Sequence, residues 1–243
     1  GMKAMHVRVY DSQRQTALAA ASLFAAKILS KPDAVLGLAT GSTPVDTYKL
    51  LIKWHKDGML DFSRCRSFNL DEYVGLTPGH PCSYRRFMDE ELFSHINMKE
   101  TSVPLGSAPD LQAETQRYDA MIEQAGGIDI QLLGLGQNGH IGFNEPDRSF
   151  SYGTQVVTLT KNTIKANRRF FGSEEDVPRQ AISLGIGGIM KARQIVLIAY
   201  GVSKAQAVRE MVKGPVDPVC PASVLQLHHD AVILLDAQAA SLL

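Results

Sequence analysis

Ala34-Val35-Leu36-Gly37-Leu38-Ala39 runs directly into Thr40-Gly41-Ser42-Thr43-Pro44. A short unbroken apolar run reads as a strand buried on both faces. The glycine and hydroxyl residues after it read as a tight loop, and Pro44 as the first residue of a helix, with Thr43 as its N-cap. The same unit recurs outward from this stretch. Upstream, His6 to Tyr10 is a strand, and Ser12 with Gln15 forms a capping pair that opens a helix to about Leu29. Downstream, strands are expected at Cys65 to Leu70, Ile128 to Leu135, Gln155 to Leu159, Gln194 to Ala199 and Ala231 to Asp236. Helices are expected from about Ser83 to His95, from about Pro109 to Ala125, and after Ser203, where Gln206 completes a second capping pair. This alternation predicts an α/β fold around an open, mostly parallel sheet, in a single domain over residues 1–243.

The 243 residues, 44% of them hydrophobic, are enough for a substantial core. Lys plus Arg and Asp plus Glu both number 25 and no basic block stands out, so a small-molecule partner is expected and neither nucleic acid nor a membrane. The apolar runs stop short of the roughly 20 residues of a membrane span, and the start has no signal-peptide pattern, which predicts a cytoplasmic protein. Gly1, ahead of Met2, reads as a leftover of expression, outside the fold. Cys65, Cys82 and Cys220 are odd in number and widely spaced, so they read as reduced structural thiols.

In open parallel sheets ligands bind beyond the carboxyl ends of the strands, and three loops there carry chemistry. Thr40 to Pro44 presents backbone N–H groups at a helix start, suited to an anion. It lacks the lysine and spacing of a nucleotide-binding P-loop, so a sugar phosphate fits better. Asn69-Leu70-Asp71-Glu72-Tyr73-Val74-Gly75-Leu76 places two carboxylates just past a strand. Neighbouring side chains on extended chain point oppositely, so one carboxylate, chosen as Asp71, faces the pocket while Glu72 orients the loop or pairs with an arginine.

The third loop runs Leu133-Gly134-Leu135-Gly136-Gln137-Asn138-Gly139-His140-Ile141-Gly142-Phe143-Asn144-Glu145-Pro146. Its formal GxGxxG lacks the helix and the later acidic residue of a dinucleotide site. It displays instead Asn138, His140 and Glu145 within eight residues, a proton-transfer group in which Glu145 is expected to fix the imidazole tautomer. The spacing does not match a metal site, so no metal and no cofactor are expected. Arg169 and Lys204 are the candidate cations.

With these loops in view, the sequence resembles the glucosamine-6-phosphate deaminase (isomerising) family over nearly its whole length. The ordered set LATGSTP (38–44), NLDEYVGL (69–76) and GHIGFNEP (139–146) carries the likeness, with Ala166-Asn167, Arg169-Phe170-Phe171 and Leu225-Gln226-Leu227-His228 in support. The resemblance implies a Rossmann-like, three-layer α/β/α fold and conversion of glucosamine 6-phosphate and water to fructose 6-phosphate and ammonia. It assigns Asp71 as the base that moves a proton between C2 and C1, and His140, with Glu145 and Asn138, as the ring-opening group. It places Gly41, Ser42, Thr43, Arg169 and Lys204 on the phosphate, and Glu72 among the substrate-binding residues.

Some members of that family have aspartate where Asn138 stands, so a charge relay through this position is not available here. No arginine or lysine lies between Arg148 and Lys161, and the chain ends soon after its last strand. The hexameric, allosterically activated members carry basic residues there, so no activation by N-acetylglucosamine 6-phosphate is expected, and a homo-oligomer is left open. The alternatives are a 6-phosphogluconolactonase-type hydrolase, which needs no base at Asp71, and a sugar-phosphate sensor domain, which needs no catalytic set.

Overall fold

The computed structural model describes residues 5–243; the reading of Gly1 lies outside them. The strands are β1 (Met5–Tyr10), β2 (Val35–Leu38), β3 (Arg66–Asn69), β4 (Asp71–Tyr73), β5 (Glu100–Ser102), β6 (Ile130–Leu133), β7 (Gln155–Thr158), β8 (Gln180–Ser183), β9 (Gln194–Ala199) and β10 (Ala231–Asp236). The helices are α1 (Gln13–Ser30), α2 (Val45–Lys56), α3 (Tyr84–Glu91), α4 (Leu111–Gln124), α5 (Lys161–Asn167), α6 (Ile186–Met190) and α7 (Ala205–Lys213). Seven strands form one sheet in the order β1-β10-β9-β6-β2-β3-β5, every pairing parallel. The remaining three form a small antiparallel sheet in the order β4-β8-β7.

Alternation along the central strands divides the apolar side chains between two clusters. Leu36, Leu38, Ile130, Leu132, Val196 and Ile198 pack with Phe24 and Ile28 of α1, Tyr48 and Leu51 of α2 and Met88 of α3. Val35, Phe68, Leu133, Ile195 and Leu197 pack on the opposite face with Tyr118 of α4, Ile186 and Ile189 of α6 and Val208 and Met211 of α7. Helices therefore cover both faces, and the sequence reading of an open α/β/α sandwich holds.

Four local readings are corrected. The apolar run ending at Leu70 does not dissolve into a loop: β3 stops at Asn69 and the chain re-forms as β4, with Asp71 opposite Ser183 in the small sheet. Gln155–Thr158 is a strand, but it belongs to that small sheet and pairs with β8. Helix α2 begins one residue late, because Pro44 itself takes the cap position in helical conformation and its carbonyl accepts from the Tyr48 N–H at 2.9 Å. Thr43 is thus not the cap, and no side chain satisfies the first N–H groups of α2. Ser203 likewise caps nothing. The chain passes through a 3₁₀ turn at Val202–Lys204, α7 starts at Ala205, and the Gln206 amide reaches forward to Glu210 instead.

Candidate active site

The loops after β2, β3 and β6 leave the carboxyl ends of three adjacent parallel strands, which brings the three sequence motifs into one region. In the glycine-rich loop the Gly139 N–H donates to the Gly136 carbonyl and the Gly136 N–H to the His140 carbonyl, both at 2.9 Å. The turn folds the imidazole back over Gly136, where a Cβ would stand 2.0 Å from Nδ1. Only glycine at 136 leaves room for that ring.

Hydrogen-bond directions fix the ring's protonation. The His140 backbone N–H donates to Asn138 Oδ1 at 3.1 Å, so this atom is an acceptor and the amide orientation is set. His140 Nδ1 lies 2.7 Å from the same oxygen and must therefore donate to it. A neutral imidazole with its proton on Nδ1 carries a lone pair on Nε2. Asn138 Nδ2 then donates to Glu145 Oε2 at 2.7 Å, and the other carboxylate oxygen accepts from the Thr163 hydroxyl at 2.6 Å. Glu145 stands 3.7 Å from Nδ1, so it acts on the ring chiefly through Asn138, not by the direct bond that the sequence suggested. Burial lowers the imidazole pKa below 6.5, with Glu145 pulling it up and Lys204 pushing it down.

Asp71 opens β4 and is 7% exposed. Gly142, at φ +57°, lets the glycine-rich loop pass beside it: a Cβ there would lie 3.9 Å from Asp71 Oδ2 and 3.1 Å from Ser183 Oγ. Burial, reinforced by the neighbouring Glu72 charge, raises the Asp71 pKa to about 8. Such a carboxyl is an acid–base group poised near neutrality.

Glu72 points the other way, as alternation along β4 requires. Oε1 accepts the Tyr73 and Tyr84 N–H groups at 2.9 Å each, and Oε2 the Arg85 N–H at 3.0 Å. Burial raises its pKa while these N–H groups pull it down. Both oxygens accept backbone N–H groups of β4 and of the start of α3, so Glu72 orients this loop.

Gly41, at φ +99°, and Ser42 are exposed, and Thr43 is half-buried at the uncapped start of α2. Free N–H groups and the helix dipole make this a cradle for an anion. Lys204 is half-buried, its Nζ donating to the Leu135 carbonyl at 2.5 Å, and desolvation lowers its pKa. Arg169 sits on an exposed 3₁₀ turn, Arg168–Phe170, with its guanidinium 4.7 Å above the Phe170 ring and no carboxylate partner among the described residues. The Phe170 carbonyl accepts from the Cys82 thiol at 3.0 Å, which ties this turn to the segment leading into α3.

The structure thus groups Asn138, His140 and Glu145 in one hydrogen-bonded network, ties Lys204 to the Leu135 carbonyl at the start of the same loop, and sets Asp71 against that loop. Arg169 makes no direct contact with either. Thr163 and Ser183 had no signal in the sequence, because each reaches the site only through strand and helix pairings distant along the chain. Among the described residues no three His, Cys, Asp or Glu side chains converge as a metal site.

Residues 11–234 match the family model described as glucosamine-6-phosphate isomerases/6-phosphogluconolactonase. A glucosamine-6-phosphate deaminase of Thermoanaerobacter sp. (strain X514) is 53% identical over 241 residues, 98% of this chain and 95% of the relative. That of Halothermothrix orenii is 49% identical, with 98% and 100% covered. A solved structure described as a monomeric glucosamine-6-phosphate deaminase superposes with a TM-score of 0.96 at 45% identity, covering 98% of this chain and all of its own. A 6-phosphogluconolactonase from Trypanosoma brucei shares the fold, with a TM-score of 0.74 at 19% identity and 99% of each chain covered. The three motifs, the sheet order and these likenesses agree that the chain belongs to the glucosamine-6-phosphate deaminase family.

Proposed function

We infer that this enzyme converts glucosamine 6-phosphate and water to fructose 6-phosphate and ammonia. The observation that carries the reading is the pairing of a buried, high-pKa carboxyl at Asp71 with an imidazole whose free nitrogen is fixed by Asn138. His140 Nε2 takes the proton of the sugar's O1 hydroxyl and delivers a proton to O5, which opens the ring to the aldehyde. Asp71, as carboxylate, removes the proton on C2 and returns it to C1, while O1 takes up a proton and the C2 amine gives one up. The resulting C2 imine takes up water and loses ammonia, leaving the ketose. Gly41, Ser42 and Thr43, with Arg169 and Lys204, hold the phosphate, so the same anchor serves each step. No cofactor is needed, because the carbon skeleton undergoes no net oxidation.

A soluble, cytoplasmic location fits this substrate, and no described helix is long and apolar enough to cross a membrane. By likeness to the monomeric relative, we further infer a catalyst complete within one chain; the lack of an arginine or lysine between Arg148 and Lys161 supports one that does not respond to N-acetylglucosamine 6-phosphate.

The test is release of ammonia and fructose 6-phosphate from glucosamine 6-phosphate, with EDTA present, by the parent and by Asp71→Asn. Equimolar products from the parent and a loss of roughly a hundredfold or more in the variant are expected. A folded parent that releases no ammonia, or a variant that keeps its rate, would overturn the assignment.

A further inference from the structure

Helix α5 is joined directly to the turn that carries Arg169, and its first turn reaches back into the His140 network. The Thr160 side chain accepts from the Thr163 N–H at 3.2 Å and caps the helix. The two hydroxyls, Thr160 Oγ1 and Thr163 Oγ1, are 3.0 Å apart. Thr163 Oγ1 is 2.6 Å from Glu145 Oε1, and toward a carboxylate a hydroxyl can only donate. Its one proton is therefore committed to Glu145, and the proton between the hydroxyls must come from Thr160.

The donors form a directed chain: Thr160 to Thr163 to Glu145 from one side, and His140 Nδ1 to Asn138 to Glu145 from the other. Every proton points toward the carboxylate. Glu145 is held by two donors from different elements, and its position decides where the Asn138 amide, and hence the imidazole, can sit.

We propose that Thr163 is a positioning residue for ring opening: its hydroxyl fixes Glu145 so that Asn138 holds His140 with Nε2 free toward the sugar. The proposal rests on the deaminase reading, and it assigns to the helix beside the phosphate-binding turn a part in setting the acid–base group. Thr163 touches no substrate atom in this role. Its removal lowers the rate of the bound complex and leaves substrate affinity largely intact.

The experiment compares the parent with Thr163→Val, which keeps the shape and removes the hydroxyl, and with Thr163→Ser, which restores it. Steady-state rates with glucosamine 6-phosphate are expected to show kcat lowered about tenfold in the valine variant, KM within about twofold, and recovery in the serine variant. Nitrogen-15 NMR of His140 supplies a readout that a general packing role would not move. The parent ring should be protonated at Nδ1 when neutral, and the valine variant should mix tautomers. Its titration midpoint should rise, since an uncompensated Glu145 charge favours the imidazolium against the opposing Lys204 charge. A valine variant with parental kcat, or with reduced kcat but an unchanged ring spectrum and titration, overturns the proposal. If the parent itself releases no ammonia, the deaminase reading fails, and the ring spectra alone then decide whether Thr163 orders this network.

Discussion

Asp71 shows how a single side chain can set activity against stability. Its pKa is about 8 in the folded protein and close to 4 when the chain is unfolded. Between those values the native state binds the extra proton, so stability falls as pH rises from 4 to 8. Below pH 4 both states are protonated and the effect vanishes. The Asn variant never ionises, so at pH 8 it should be more stable than the parent by on the order of 5 kcal/mol, with the gap closing towards pH 4. Denaturant melts at the two pH values measure this, and a pH-independent difference would contradict the burial argument. That Asp71 and His140 lie by one loop was legible in the sequence, because both stand past apolar strands of one parallel sheet. Thr163 was not, since its partner lies 18 residues away and nothing local in Thr160 to Thr163 distinguishes a relay from an ordinary cap.

Among the elements, α3 owes its starting point to a residue on another element. Ser83 caps it conventionally, accepting from Arg86 N–H at 3.0 Å, while Glu72 of β4 takes the N–H groups of Tyr84 and Arg85. Replacing Glu72 by alanine strands one buried and two partly buried N–H groups and removes a negative charge from a helix start, a loss of about 3 kcal/mol. The melting temperature should fall by roughly 6–12 °C, and a drop under about 2 °C would mean that water replaces the carboxylate without cost. The long central strands were legible: β9 and β10 match their predicted limits, because six-residue apolar runs admit few readings. Strands β5 and β8 were not, since Glu100-Thr101-Ser102 lies on an edge and Gln180–Ser183 pairs only within the small sheet. Capping signals succeeded at Ser12, where the chain enters extended, and failed at Ser203, where the 3₁₀ turn after Gly201 occupies the approach.

Over the whole molecule, the stretch that leads from the glycine-rich loop through β7, Ser151 to Thr158, holds no arginine or lysine. A phosphorylated effector needs cations, so the rate at low glucosamine 6-phosphate should not change when N-acetylglucosamine 6-phosphate is added. A several-fold activation would require an anion site elsewhere. The two sheets meet where β3 ends and β4 begins, one residue apart, with the Leu184 N–H donating to the Leu70 carbonyl at 2.8 Å across the junction. The seven-stranded platform carries the Gly41–Thr43 loop and the imidazole, whereas the three-stranded sheet carries Asp71 and leads into α5. A sugar phosphate held by both would bridge a seam that the backbone crosses with few bonds, and its binding energy would add to the work of unfolding. Substrate of that kind should then protect the chain from proteolysis, a resistance that fades as the ligand is diluted away.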